Sequence, residues 1–331
     1  MQLINPRQIH GSPEQDHDEP RMTQRTTGIA LAGVTAVISG FSIFINGYGV
    51  RRFDDATTYT TAKNMVAATL VTALFLFWRH RNSGAMQRPK AAPETVLPRP
   101  QRIGVFALVA VIGGSLPFVL FFEGLSRATS TDAAFLHKTL VAWVAILAVV
   151  LLRERVGPLH LVAIGLILWG HALTMGGIGL PQFGTGELLI LAATLCWSVE
   201  VVVSRHVLQR GVDELALGTA RMFGGVLVLI VWALVRGEAQ ALVTLTANQV
   251  AWTLVTGVFL TAYVVSWHFA LARAQAVDVT AILVIGAVIT ALLNAGIRDV
   301  PLRPAGLVLL GVGGLLIFVG ASQTQTKLQL S

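Results

Sequence analysis

The stretch AAFLHKTLVAWVAILAVVLLRER, Ala133 to Arg155, is apolar over most of its length yet carries Lys138, with His137 before it and Thr139 after it. An ammonium in such a run either attracts a carboxylate or phosphate of a ligand, or bends its long stem toward a nearby glutamate or a polar interface. Reflection through the turn near residues 126–130 offers Glu123 as that glutamate, about one helical turn closer to the outer face. His137 is of the residue type that responds to pH near neutrality, which makes it a candidate proton carrier beside the lysine. Three polar groups in a row point about 100° apart around a helix, which suits a helix bordering a water-filled cavity.

A second constellation is Glu200 and Arg221. Each lies about ten residues from the turn at Gln209–Gly211, so the two should sit at similar depth on adjacent helices. They read either as a structural ion pair or as a proton or cation site on Glu200 governed by Arg221.

These charges stand in a chain of 331 residues that is 54% hydrophobic and 12% charged, with mean hydropathy +0.70. Soluble domains carry about 25% charged residues, so the bilayer must be the solvent. Ten apolar runs follow, at about 29–50, 57–78, 103–125, 131–152, 158–179, 186–208, 214–235, 250–271, 277–297 and 303–321. Each approaches the ~20 residues a helix needs to cross the hydrocarbon core, and none alternates in the manner of barrel strands. The expectation is an all-α polytopic membrane protein with ten transmembrane helices. Residues 1–28 contain no apolar run of signal-peptide type and are expected to form a cytoplasmic tail, as are residues 322–331.

With the N-terminus inside, the inner segments hold 15 of the 24 Lys and Arg residues and the outer ones 6; Lys63, Lys138 and Arg221 fall within spans. That asymmetry predicts both termini in the cytoplasm of a cell (plasma) membrane protein. It also accounts for the net charge of +7 without nucleic acid, for which there is no basic run with interleaved aromatics. The single cysteine, Cys196, excludes an intrachain disulfide.

The chain also repeats itself. RATSTD (Arg127 to Asp132) matches RAQAVD (Arg273 to Asp278) at an offset of 146, and Arg52 and Asp55 match Arg210 and Asp213 at 158. The linker 79–102 absorbs most of the difference. Two halves of five helices, 29–179 and 180–321, would enter the membrane from opposite sides. Such inverted repeats characterise many secondary transporters, whose substrate site lies near the midplane between the halves.

Gly114 to Gly170, Gly186 to Ile230 and Trp252 to Gly320 resemble an EamA-type protein of the drug/metabolite transporter superfamily, with LLRERVGPL closest to the family's turn after the fourth helix. Glu123 and Glu200 stand where the family's usual tyrosines would be. The resemblance implies movement of a small metabolite, often outward, with Asn46, Trp197, Tyr263, Trp267 and Asn294 on helices that border the cavity. It joins Lys138, His137, Glu200 and Glu123 as candidate substrate-binding residues. Asp132 and Asp278, which begin the fourth and ninth helices, are expected to cap exposed N–H groups. Pro117 should kink the third helix and free a carbonyl for the cavity.

No GxxxxGK[ST] run and no HExxH spacing occurs, so neither ATP hydrolysis through a P-loop nor a zincin-type metal site is expected. The reading is a secondary transporter, not an enzyme, without cofactor or metal. It would move an amino acid or related organic acid or amine by alternating access, as an exporter or exchanger, with protons as possible co-substrates, in a monomer or homodimer. Proton-coupled multidrug or cation efflux and a non-transport membrane sensor or receptor are the alternatives.

Overall fold

A computed structural model describes residues 19–82, 97–125, 127–128, 133, 136–174, 184–299, 301 and 303–329. Every regular element among them is helical. Seven helices are long and apolar enough to cross a membrane: α1 (Gln24–Arg52), α2 (Ala56–Arg81), α3 (Arg99–Leu125), α6 (Thr185–Gln209), α7 (Glu214–Val235), α8 (Ala247–Arg273) and α9 (Ala276–Arg298). Three apolar helices are shorter: α4 (Leu136–Leu152), α5 (Pro158–Thr174) and α10 (Pro304–Ile317). The expected spans 131–152 and 158–179 both run into residues outside those described. The helix containing α1 begins at Glu19, and the one containing α10 continues to Gln329, so helix extends into both segments expected to be tails.

Polarity is distributed as a bilayer requires. Val150, Leu161 and Val235 are 68%, 62% and 75% exposed, while Asp278, Glu200 and His160 are 0%, 1% and 2% exposed. In water the outer surface would be an aggregation hazard; in hydrocarbon it is the solvated face, and backbone groups must bond within helices.

The principal helix contacts map onto themselves when each helix is replaced by the one five places along. α1 packs on α8 and α6 on α3; α2 packs on α8 and α7 on α3; α1 packs on α9 and α6 on α4; α5 meets α10, α2 meets α7 and α4 meets α9. Backbone detail repeats too. α4 ends in left-handed Arg153 (φ 55°) and α9 in left-handed Asp299 (φ 54°), which stand 146 residues apart. Each of these helices is also interrupted partway, at Thr139 and at Val284.

Small residues let the halves approach. A Cβ on Gly225 of α7 would lie 2.5 to 2.7 Å from backbone atoms of Gly114 on α3, so only glycine permits this crossing.

The end of the bundle where α1 begins is closed by buried ionic groups. Arg25 Nη2 donates to Asp278 Oδ2 at 2.9 Å, and His160 Nε2 lies 3.3 Å from Asp278 Oδ1. Asp278 therefore serves as an ion-pair partner in the first turn of α9 rather than as its cap. The carboxylate of Glu154, from the α4–α5 turn, takes the capping role and accepts from the N–H groups of Ala276 (2.9 Å) and Val277 (3.3 Å). Arg205 Nε stands 3.7 Å from Glu154, and its Nη1 donates to Leu271 O at 2.6 Å. Burial pushes the Glu154 carboxyl above its ordinary value, opposed by the two N–H groups and Arg205 and reinforced by the charge of Asp278. Asp132, the other expected cap, lies outside the described residues.

Candidate functional site

Between the halves lies a cavity of about 680 Å³, within the usual range for small-molecule sites. Both halves line it, and exposed Arg303 in the α9–α10 turn marks its mouth, at the opposite end of α9 from Asp278.

Lys138 lines this cavity at the interruption of α4. Thr139 produces a local departure from the helical ladder: its hydroxyl donates to Leu136 O at 2.6 Å and accepts from Trp143 Nε1 at 3.2 Å. Lys138 is half-buried and makes no hydrogen bond or ion pair with any described residue. The suggested pairing with Glu123 is not formed. Glu123 lies outside the cavity lining and meets Arg127 at 3.1 Å and Arg236 at 3.0 Å. Reflection through a turn gives depth but not direction around the helix, and Glu123 points elsewhere.

His137 packs edge-on against Trp197 at 5.0 Å and Phe121 at 5.6 Å between ring centroids. Phe118 approaches Trp197 from another side at 5.3 Å, making an aromatic wall. Trp197 is fixed by Pro117. A proline cannot donate to the carbonyl four residues back, here that of Gly113, and Trp197 Nε1 donates to that carbonyl at 3.2 Å.

Glu200 sits across the crossing of α3 and α6. Its Oε1 accepts from Ser204 Oγ at 2.7 Å, and Arg221 Nε lies 3.8 Å away, close enough for Coulomb attraction but too far for a hydrogen bond. Arg221 belongs to a π-helical turn, Ala220–Gly224, a local widening often found at functional sites. Tyr263 and Trp267 stack at 5.9 Å and 11° on α8, and both line the cavity.

Asn46 and Asn294 line it as well. Asn46 Nδ2 donates to Ser42 O and Oγ at 2.7 and 3.0 Å, while its Oδ1 accepts from Tyr59 and from Lys63 Nζ at 3.3 Å. Asn294 Oδ1 accepts from Arg298 Nη1 at 3.4 Å, whose guanidinium lies 4.2 Å from the centre of the Tyr48 ring.

Lys63 is the residue that reasoning from sequence passed over. It lines the cavity from α2, and its signal was the repeat itself. Ser42, Asn46 and Lys63 stand 158 residues before Glu200, Ser204 and Arg221. The two triads share one plan: a polar pair four residues apart on the first helix of the half, bonded to each other, and a cation from the second helix. The carboxylate is present only in the second triad.

The EamA-like transporter family model matches residues 26–176 and 184–322. This chain belongs to the EamA-like transporter family. It is a multi-pass membrane protein of a transporter family, with one family unit in each half. No curated protein matches the sequence. A solved structure, described only as a crystal structure of a protein, matches with TM-score 0.70 and 14% identity, covering 90% of this chain and 99% of its own; that likeness concerns the fold alone.

Proposed function

We propose that the chain is a secondary transporter that moves a small polar metabolite, an amino acid or related organic acid or amine, by alternating access around the central cavity. In this reading the ten apolar helices all span the membrane, as two inverted repeats in 29–179 and 180–321. Support for inversion comes from the contacts: α1 starts beside Asp278 of the closed end, whereas α6 starts at the other end, where Gly186 abuts Ala128. The excess of Lys and Arg at the closed end supports a cytoplasmic location for it and for both termini, in the plasma membrane.

The observation that carries the proposal is the cavity with one end sealed by Arg25–Asp278–His160 and Glu154–Arg205 and its mouth at Arg303. A site open to one side and closed by separable polar contacts on the other is one of the two states alternating access needs. Export or exchange would follow from the metabolite gradient, since the chain has no P-loop. Counterflow in proteoliposomes tests the reading: vesicles loaded with an unlabelled metabolite should accumulate the labelled one through the wild-type protein. Lys138→Gln protein inserted to the same level should lose most of that uptake. Equal uptake by empty vesicles for every amino acid, organic acid and amine tried would sink it.

A further inference from the structure

Within the transporter reading, we infer that the cavity selects a small organic anion with two negative charges, a dicarboxylate or a phosphate monoester, on an apolar or aromatic body. Lys63 and Lys138 are its two anchors.

The charges of the described lining residues favour this class over the amino acid and the amine. Among the described residues lining the cavity the charged side chains are Lys63, Lys138, Arg221, Arg303 and Glu200. Glu200 is the one carboxylate, and it is already taken up by Arg221 at 3.8 Å and Ser204 at 2.7 Å. Arg303 is exposed at the mouth. Two cations remain inside. Among the described residues Lys63 has the neutral oxygen of Asn46 at 3.3 Å and the Tyr59 ring at 5.1 Å as partners, and Lys138 has none. Half-buried ammonium groups with no described carboxylate beside them favour a ligand that brings the opposite charge. An amine would meet two like charges with no free carboxylate. A zwitterionic amino acid would satisfy one lysine and place its own ammonium against the other.

Repeat architecture does not require this surplus. The position 158 residues beyond Lys63 is Arg221, neutralised by Glu200, and the position 146 beyond Lys138 is apolar Val284. Both cations without a described counterion therefore belong to the first half, and both line the one cavity. In the same cavity lining, Phe118, Phe121 and Trp197 form one aromatic surface and the stacked Tyr263 and Trp267 another. Those faces suit an apolar or planar body rather than a bare inorganic ion.

A ligand series on one phenyl body tests the inference with the purified full chain. Binding of phenylsuccinate, phenyl phosphate, phenylacetate, phenylalanine and phenethylamine is measured by thermal shift and titration calorimetry, with succinate and inorganic phosphate as body-free controls. The expected order is both phenyl dianions first, phenylacetate weaker, and the zwitterion and amine without effect. Lys63→Gln and Lys138→Gln should each weaken dianion binding by about tenfold or more, the scale of a lost charge-assisted contact. Lys63→Arg and Lys138→Arg should recover most of it. Should the glutamine variants fail to fold, the wild-type order and the arginine variants still decide. Binding of phenylalanine or phenethylamine as tight as that of phenylsuccinate overturns the inference, as does undiminished dianion affinity in both glutamine variants. The two readings fail separately. Counterflow of a zwitterion or amine with no dianion binding leaves a transporter and removes the anion site; dianion binding with no counterflow of any compound does the reverse.

Discussion

Arg221 stands 3.8 Å from the carboxylate of Glu200, whereas Lys63, 158 residues earlier, reaches only the amide oxygen of Asn46 at 3.3 Å. Arg221 thus meets a carboxylate, and Lys63 meets none among the described residues. The consequences for stability differ in sign. Removing Arg221 strands a carboxylate that is 1% exposed, so Arg221→Ala should cost about 3–5 kcal/mol. The double variant Glu200→Gln/Arg221→Gln should recover more than half of that. Denaturant or thermal midpoints of the purified proteins check it; a double variant as unstable as the single one contradicts the pairing.

Lys138 should behave in the opposite way. A half-buried ammonium without a counterion among the described residues is a cost the fold bears for the site, so Lys138→Met should raise stability by about 1 kcal/mol or more while removing transport. The measurement pairs a melting curve with counterflow on one preparation. A fall in stability would mean that Lys138 has a structural partner.

Gly225 and Gly165 give a contrast in packing. A Cβ at Gly225 would press on the Gly114 backbone, which no side-chain rotation relieves, whereas one at Gly165 meets nothing within 4 Å. Gly225→Ala is expected to lose about 1–3 kcal/mol, and Gly165→Ala to gain a few tenths up to about 1 kcal/mol from helix propensity. Comparing midpoints of the two variants separates close helix contact from glycine content as such.

Glu154 makes the closed end sensitive to rising pH. Its carboxyl is raised in the folded protein, chiefly by burial, so the folded state binds a proton more readily than the unfolded one. The sign follows: this contribution to stability is fully present below the ordinary glutamate pKa and is lost as pH rises through the raised one. Melting temperatures scanned over about pH 4 to 8 should therefore carry a component that falls toward high pH, and Glu154→Gln should flatten it. A component of the opposite slope that disappears in Glu154→Gln would refute the assignment.

The sequence encodes depth along a helix more directly than direction around it or contacts between distant segments. Length and hydropathy reveal apolar helices because a bilayer demands them. Equal distance from the Gln209–Gly211 turn suggests the meeting of Glu200 and Arg221, since both helices grow from that turn. The same reasoning misplaces Glu123, whose depth is right for Lys138 but whose direction leads to Arg127 and Arg236. Asp278 looks like a cap because it opens a helix; the actual capping carboxylate, Glu154, comes from a turn 122 residues away in sequence. Lys63 was legible only through the offset that aligns it with Arg221, because a lone lysine in a span otherwise reads as snorkelling.

The network at the closed end supplies the last prediction. Asp278 is fully buried and joins Arg25 of α1 to His160 of α5, so its loss weakens three helix ends together. Breaking a buried pair costs about 3–5 kcal/mol, and any part of that cost absent from the opposite conformation shifts the population toward it, about tenfold for each 1.4 kcal/mol. Leu283 lines the cavity and is partly exposed, which makes it a reporter of access when replaced by cysteine on a Cys196→Ala background. A membrane-impermeant thiol reagent should modify that cysteine from the side of Arg303 in the parent protein. With Asp278→Asn added, modification from the side of Arg25 should rise severalfold and from the side of Arg303 should fall. Unchanged modification from both sides would mean that the ionic cluster holds the fold together without governing access.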